Sequence, residues 1–232
     1  MIAQTDIHDR SAGRTFVKVL KGALTAVSIA RLMPSIALMF LSSNRNTVYA
    51  DLDKWARVYH FERPRNSTDR ILLFAHLMTW LPEYRNVFYL RAGLLGRLFS
   101  IFCRPLPSLH LGNTSIGPGL FIMHGDGTFV SATKIGENCW INQQVTIGYT
   151  NETDIPSIGN NVAILAGAKI LGKVSIGDNV TIGANTVVIE DVPSNATVMG
   201  VPAKIVWFKK PPPRDGESDC GADSDPSTSP IV

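Results

Sequence analysis

The sequence predicts a coil of short parallel β-strands at residues 106–208, preceded by a helical N-terminal region at 1–105 and followed by an acidic tail at 209–232. Three observations support this division. Aliphatic residues recur at every sixth position of the predicted coil, glycine and asparagine recur with a period of 18, and composition changes at both ends. The six-residue period is the most informative, and its members are Ile158, Ile164, Ile170, Ile176, Ile182 and Val188.

This spacing excludes the two commonest regular structures. An α-helix repeats its apolar face every three to four residues, and a half-buried strand every second residue. Six-residue spacing instead predicts short strands joined by corners, with one inward aliphatic side chain on each face of the coil. It also disfavours a β-sandwich. Earlier residues with the same spacing extend the pattern upstream, namely Ile135, Ile141 and Ile147, with Ile116 and Ile122 before them.

The corners repeat with the period of a complete turn. Gly159-Asn160-Asn161 returns 18 positions later as Gly177-Asp178-Asn179, and three hexapeptides make 18 residues. Glycine and asparagine are the residues that best tolerate left-handed backbone angles. The equivalent Gly136-Glu137-Asn138 lies 23 positions earlier, which is one turn plus five residues. We therefore predict a protruding loop from about Tyr149 to Ser157.

The N-terminal region is apolar and basic. Residues 1–105 contain 15 Lys and Arg against 7 Asp and Glu, but no motif that reads nucleic acid, so a nucleic-acid partner is not expected. Charges and a proline interrupt its longest apolar run, so no uncharged stretch reaches the length of a membrane-spanning helix. Two interpretations stay open: a helical cap packed on the coil or on neighbouring subunits, and peripheral attachment to an anionic inner membrane leaflet.

The remaining composition favours a cytoplasmic protein. Residues 211–232 contain one Arg against five acidic residues, together with Pro, Ser and Gly, and we expect this tail to be disordered. Cys103, Cys139 and Cys220 form no C-x-x-C pair and are odd in number, so they are expected to be reduced thiols without a zinc site. No cleavable signal peptide is expected, because the first 15 residues are polar and mixed in charge.

Chemistry is expected where the six-residue pattern is interrupted, between Gly119 and Gly127. This segment places His124 among small residues, and only His110 and His124 of the five histidines lie in the coil. A lone histidine is more often structural than catalytic. Imidazole nevertheless suits a base that takes and returns a proton near neutral pH, and glycine allows a substrate to approach closely.

Residues 116–206 resemble the hexapeptide-repeat acyltransferases, and within them a serine acetyltransferase-like branch. The segments that match are His124-Gly-Asp-Gly127, Val145-Thr-Ile-Gly148, Ala166-Gly-Ala-Lys-Ile-Leu-Gly172, Ile182-Gly-Ala-Asn-Thr-Val-Val188 and Gly200-Val-Pro-Ala-Lys-Ile-Val206. The resemblance implies a left-handed parallel β-helix, a homotrimer, and acetyl-CoA bound between neighbouring prisms without a metal. It further implies that His124 is the general base. The positions that match the family's cofactor site are Gly148, Ala166, Gly167, Gly183, Ala184 and Lys204.

Departures from the serine acetyltransferase pattern concern acceptor recognition. Those enzymes have Asp-His where this chain has Met123-His124, and Arg-His-Pro in the loop where it has Asp154-Ile-Pro. Met123 cannot bind an ammonium group, and Asp154 would repel a carboxylate. The position of the family's histidine-orienting carboxylate holds Leu109, and the acids that could substitute for it are Asp126, Glu152 and Asp154.

These departures favour a neutral acceptor, a sugar hydroxyl of a surface polysaccharide precursor, over L-serine, which is kept as the alternative. The stretch from Pro82 to Tyr89 also resembles segments that precede the coil in polysaccharide-linked relatives. Two further classes are weighed. A γ-type carbonic anhydrase needs three histidines around zinc, and the coil has two. A non-catalytic trimeric scaffold would use the N-terminal region as its binding surface.

Overall fold

The computed structural model describes residues 22, 24, 25, 27–112, 114–151 and 153–208. The predicted acidic tail, Cys220 and the candidate Glu152 lie outside these residues. The described part of the N-terminal region is helical, as predicted. Its helices are α1 (Val27–Leu41), α2 (Arg45–Val58), α3 (Ser67–Trp80) and α4 (Pro82–Phe99).

Local sequence signals explain where two of these helices begin. Asn66 caps α3, because its side-chain oxygen accepts a hydrogen bond from the Asp69 backbone N–H at 2.9 Å. Pro82 begins α4, where the missing N–H of proline has no helical partner to lose. Gly93 interrupts α4 with φ 61° and ψ −136°, a conformation that residues with a Cβ rarely adopt. The last turns of α4 therefore diverge from its first part.

No single helix within the described residues is long and apolar enough to cross a membrane. As a pair, α1 and α2 are long and apolar enough for a membrane span, but a bend of 117° separates the two helices.

The coil is a left-handed parallel β-helix whose strands form three sheets, as the resemblance implied. Sheet A has the order β1-β4-β7-β10-β13, sheet B β11-β8-β5-β2, and sheet C β15-β14-β12-β9-β6-β3. All pairings are parallel except that of β14 with β15, which closes the coil. The strands are β1 (Leu109–Leu111), β2 (Ser115–Ile116), β3 (Phe121–Ile122), β4 (Thr128–Val130), β5 (Lys134–Ile135), β6 (Trp140–Ile141), β7 (Thr146–Gly148), β8 (Ser157–Ile158), β9 (Ala163–Ile164), β10 (Lys169–Leu171), β11 (Ser175–Ile176), β12 (Thr181–Ile182), β13 (Val187–Val188), β14 (Ala196–Met199) and β15 (Lys204–Phe208).

The six-residue pattern marks the core of the coil. Ile164 lies in register between Ile141 and Ile182, and the equivalent residues of the other two sheets stack in the same way. All six members of the late pattern are buried. Burying one such side chain contributes roughly 1.5–3 kcal/mol, so the stack supplies a large, evenly distributed stabilisation.

The corners confirm the 18-residue period between Asn161 and Asn179, and Asn195 takes the equivalent corner after 16 residues. Asn161, Asn179 and Asn195 all have positive φ, and their side chains form a ladder in which each amide donates to the next at 3.0–3.1 Å. The predicted loop is also present, because the chain leaves sheet A after Gly148 and enters sheet B at Ser157.

A buried ion pair attaches the helices to the first turn of the coil. Arg91 Nε of α4 donates to Asp51 Oδ2 of α2 at 2.8 Å, and its terminal nitrogens donate to the carbonyls of Ile116 and Gly117. Asp51 Oδ1 also accepts from the backbone N–H groups of Gly119 and Leu120 at 2.7 and 2.9 Å. Burial raises the pKa of Asp51, while Arg91 and the two N–H donors oppose that rise. These contacts position the segment that enters β3, two residues before His124.

Candidate active site

His124 lies in a tight turn directly after β3. Its φ is 64°, and the Gly125 N–H donates to the Met123 carbonyl at 2.8 Å, which closes a three-residue turn around the histidine. Such turns are uncommon for residues with a Cβ and are strained. The His124 side chain is exposed, so the conformation presents the imidazole to solvent. Strained backbone at an exposed histidine indicates a functional constraint.

The His124 turn is the first member of a stack of corners, which we call the corner column. It comprises residues 123–127, 142–145, 165–168 and 183–186, which all connect sheet C to sheet A. Backbone hydrogen bonds join successive corners: Gln144 N to the Asp126 carbonyl, Gly167 N to the Gln143 carbonyl, and Asn185 N to the Ala166 carbonyl, at 2.8, 3.0 and 2.8 Å. The column is a continuous edge of the prism.

Four of the six predicted cofactor residues lie on this corner column, namely Ala166, Gly167, Gly183 and Ala184. Lys204 lies above its far end, because it pairs with Met199, and a Cβ on Gly183 would meet Met199 Cγ at 2.8 Å. Three strand spacings of roughly 4.8 Å separate β3 from β12, so the edge from His124 to Ala184 is about 14 Å long. Gly148 lies at the end of β7, on the next edge of the prism.

The structure does not bring all the predicted acceptor residues together. Asp126 belongs to the His124 turn, is exposed, and accepts from Ser108 Oγ at 2.8 Å. The half-buried Met123 packs against the core. Asp154 lies in the loop between sheets A and B, where it accepts from Asn151 Nδ2 at 2.6 Å. Within one chain, the loop and His124 therefore occupy different edges.

One acidic residue near the turn was not predicted from the sequence. Glu83, in the first turn of α4, is only 6% exposed. Burial raises the pKa of its carboxyl, and the charges of His124 and Asp126 respectively lower and raise it by smaller amounts. The only sequence signal was an acid at the start of a helix, which is a common stabilising feature and indicates no function by itself.

Leu109, which was predicted to occupy the position of the family's carboxylate, packs beside the His124 turn. Leu109 is buried, and its Cδ2 would lie 3.2 Å from a Cβ on Gly125, as would Leu106 Cδ2. The neighbour of His124 thus rests on leucine side chains.

No three His, Cys, Asp or Glu side chains within the described part of the chain are grouped to hold a metal ion. Cys103 and Cys139 are buried free thiols, and burial raises the pKa of Cys139 to about 11. A thiol of that kind is a poor nucleophile.

Comparison with known proteins places these features in a family. Residues 156–190 match the bacterial transferase hexapeptide family, which is described by six repeats. The serine acetyltransferase of Synechococcus elongatus is 41% identical over 122 residues, which cover 50% of this chain and 50% of that protein. The chain thus spans about half the length of this curated relative.

Two solved structures extend the similarity beyond the coil. Soybean serine acetyltransferase complexed with serine shares 30% identity and a TM-score of 0.50, covering 71% of this chain and 70% of that one. The serine acetyltransferase of Brucella abortus in complex with coenzyme A shares 26% identity and a TM-score of 0.52, covering 82% and 83%. The chain therefore belongs to the hexapeptide-repeat transferases and is similar, among them, to the serine acetyltransferases.

Proposed function

We propose that this protein is an acetyl-CoA-dependent O-acetyltransferase with His124 as its general base. One observation supports the proposal most strongly: an exposed histidine in a strained turn stands at the end of an edge lined by Ala166, Gly167, Gly183 and Ala184. Small side chains allow a long, thin ligand to lie close to the backbone. The histidine would then meet the reactive end of that ligand.

The reaction needs one base that later acts as an acid. The His124 imidazole takes the proton of the acceptor hydroxyl while its oxygen bonds to the thioester carbonyl carbon. Collapse of the tetrahedral intermediate breaks the carbon–sulfur bond, and the imidazolium returns the proton to the leaving thiolate. The thioester is already activated, so the step consumes no other reactant.

The corner column suits coenzyme A in shape and charge. Its small residues can accommodate the pantetheine arm, and Lys204 offers a cation for the phosphates. The Brucella relative, whose structure contains coenzyme A, supports this assignment. Gly148 stays a predicted cofactor residue at the neighbouring edge.

We propose L-serine as the acceptor, although the sequence alone favoured a sugar. The relatives found are serine acetyltransferases, and the soybean enzyme was solved with serine bound. Asp126 can supply the negative charge that Met123 lacks, because its carboxylate is exposed in the His124 turn. A serine ammonium group would find its counter-charge there.

A sugar hydroxyl is the second candidate, and one observation favours it. Serine also has a carboxylate, yet neither the His124 turn nor the described part of the loop contains Lys or Arg. The loop instead presents Asp154. A neutral polyol needs no cation, so this charge pattern suits it better.

We further propose a homotrimer. His124 and Asp154 lie on different edges of one prism, so the loop of a neighbouring copy would complete the site at the His124 edge. Strand β15 also exposes apolar side chains at the coil's end, including Trp207 and Phe208, which suits burial against another chain. A cytoplasmic location and contact with the inner membrane face through the helices stay predictions. The exposed Leu94, Leu98 and Ile101 offer an apolar surface for such contact.

The decisive experiment measures thiol release from acetyl-CoA with L-serine, or with hexoses and N-acetylhexosamines, in the native protein and in His124→Ala. We expect turnover with serine and a loss of about 10²- to 10⁴-fold in the variant, the usual contribution of a general base. Coenzyme A binding should persist. The control is His110→Ala, which removes an exposed histidine stacked on Phe129.

Each outcome separates the candidates. Release with sugars alone would make the polysaccharide precursor the acceptor. Full activity in His124→Ala would contradict the mechanism, and absence of acetyl-CoA binding would favour the scaffold.

A further inference from the structure

A lysine ammonium group lies beside the corner column, close to the His124 turn. The column itself contains no Lys or Arg. Lys169 follows its third corner directly, as the first residue of β10 in sheet A. The side chain of Lys169 reaches back by one turn of the coil, where Nζ donates to the Gln144 carbonyl. The ammonium group therefore lies at the second corner, one step above the histidine.

Gln144 also connects this ammonium group to the His124 turn. Its backbone N–H donates to the Asp126 carbonyl at 2.8 Å, so a single residue separates Lys169 Nζ from the turn. Two hydrogen bonds and one residue place Nζ within roughly 9 Å of the Asp126 carbonyl oxygen. In serine, the carboxylate carbon is three bonds from the hydroxyl oxygen. A cation for that carboxylate must therefore lie close to the base, as Lys169 does.

The ammonium group is available to a ligand. An ammonium has three N–H donors, and one of them is directed at Gln144. Lys169 takes part in no ion pair within the described ranges, where the three pairs that occur involve Arg63, Arg65 and Arg91. Lys169 is half-buried and Gln144 is exposed, so the group lies at an open edge of the prism.

We propose that Lys169 binds the carboxylate of the acceptor and thereby selects an amino acid over a neutral sugar. The inference rests on the proposed acetyl transfer with His124 as the base. It supplies the cation that neither the His124 turn nor the described part of the loop contains. The cation comes from sheet A, because the loop has Asp154 where the serine acetyltransferase pattern has arginine.

Two other roles would use the same position. A structural lysine would only stabilise the second corner through the Gln144 carbonyl, so its loss would affect every acceptor equally. A cofactor-binding lysine would contact coenzyme A along the corner column, so its loss would raise the KM for acetyl-CoA. Only a lysine that binds the carboxylate distinguishes acceptors that have this group from acceptors that lack it.

The test compares L-serine with serinol, in which a hydroxymethyl group replaces the carboxylate. In Lys169→Met we expect the KM for L-serine to rise about tenfold to a hundredfold, the usual effect of losing a charged hydrogen-bond partner. The KM for serinol and the KM for acetyl-CoA should stay within about twofold of the native values. Lys169→Arg keeps the charge in a different shape and should recover part of the affinity for serine.

Lys134→Met is the matched control. Lys134 is also the first residue of a short strand, β5, but it is exposed on sheet B, the face that does not border the corner column. Its replacement should leave the KM values for serine, serinol and acetyl-CoA unchanged. Circular dichroism of both methionine variants would verify that they fold as the native protein does.

The outcomes separate this inference from the proposed function. An unchanged KM for L-serine in Lys169→Met, or an equal rise for serinol, would overturn the role of Lys169 and leave acetyl transfer intact. A rise confined to acetyl-CoA would assign the lysine to the cofactor instead. Full activity of His124→Ala would overturn the proposed mechanism. Turnover with sugars alone would overturn the serine acceptor and this inference together, while its loss in His124→Ala would still support the mechanism.

Discussion

The coil and the helices are stabilised in different ways. In the coil, each inward residue repeats the contacts of its equivalents one turn above and below, as Ile164 does between Ile141 and Ile182. The helices are attached to the coil by a few side chains that occur once each, chiefly Asp51 and Arg91. Stabilisation is therefore distributed in the coil and concentrated at the junction with the helices.

The candidate site draws on both regions. The coil supplies His124 and the corner column, whereas the start of α4 packs beside the His124 turn through Leu106. A substitution at the junction, for example at Asp51 or Arg91, should therefore lower activity as well as stability, although these residues lie outside the site.

The largest effect is expected for Asp51→Ala. Removing one partner of a buried ion pair leaves Arg91 uncompensated, which typically costs about 3–5 kcal/mol of unfolding free energy. Asp53→Ala, two residues away, breaks an exposed pair with Arg63 and should cost about 1 kcal/mol or less. Urea unfolding followed by circular dichroism would compare the two. Equal losses would show that the junction is not where attachment is concentrated.

On the coil, Ala184→Leu tests the exposed edge. The added side chain points to solvent and should change the unfolding free energy by no more than about 0.5 kcal/mol. If coenzyme A lies along the corner column, its KM should rise about tenfold, equivalent to about 1.4 kcal/mol. Gly148→Ala is the companion variant, because a Cβ there meets no atom closer than 4.0 Å. A rise in KM at Gly148 as well would indicate that a second edge contributes to binding, whereas an unchanged KM in Ala184→Leu would place the cofactor elsewhere.

A smaller effect is expected for Ile164→Val inside the coil. The substitution removes one methylene from the stack, and the isoleucines above and below stay in place. The unfolding free energy should therefore fall by about 0.5–1.5 kcal/mol, with activity close to native. Ile189→Val is the control, because Ile189 is exposed and should change little. A loss as large as that of Asp51→Ala would contradict the idea that the coil distributes its stabilisation.

The same contrast explains which features the sequence could predict. The features that repeat along the coil could be predicted, because every turn needs the same residue types at equivalent positions. These features are the inward isoleucines, the asparagine corners and the loop that interrupts the period after Gly148. The small residues at the third and fourth corners of the column that begins at His124 follow from the same registration. No such repetition exists in the helices, where the Asp51–Arg91 pair joins residues 40 positions apart. Spacing contains no signal for such a contact.

Glu83 illustrates this limit at the site itself. It lies 41 positions before His124, and contacts of its neighbours Pro82 and Tyr84 with Leu106 and Trp55 pack the first turn of α4 on the part of the coil that carries the His124 turn. The sequence showed leucine at the family's carboxylate position and offered Asp126 and the loop acids Glu152 and Asp154 as substitutes. The packing of a separate helix on the coil buries an acid in this part of the molecule, and spacing in the sequence contains no signal for that.

The smallest effect concerns the pH dependence of stability at Glu83. Burial raises its pKa above the ordinary 4.5, so the folded protein binds this proton more tightly than the unfolded chain. The resulting stability is fully present below pH 4.5 and is lost as pH rises through the folded-state pKa. Glu83→Gln has no such loss, so its stability relative to the native protein should rise between about pH 4.5 and pH 7. Because the charge of His124 lowers the pKa of Glu83, the total loss should be larger in a His124→Ala background. Urea unfolding across this range, with and without His124, measures the interaction directly, and identical curves in the two backgrounds would show that the residues do not interact in the folded protein.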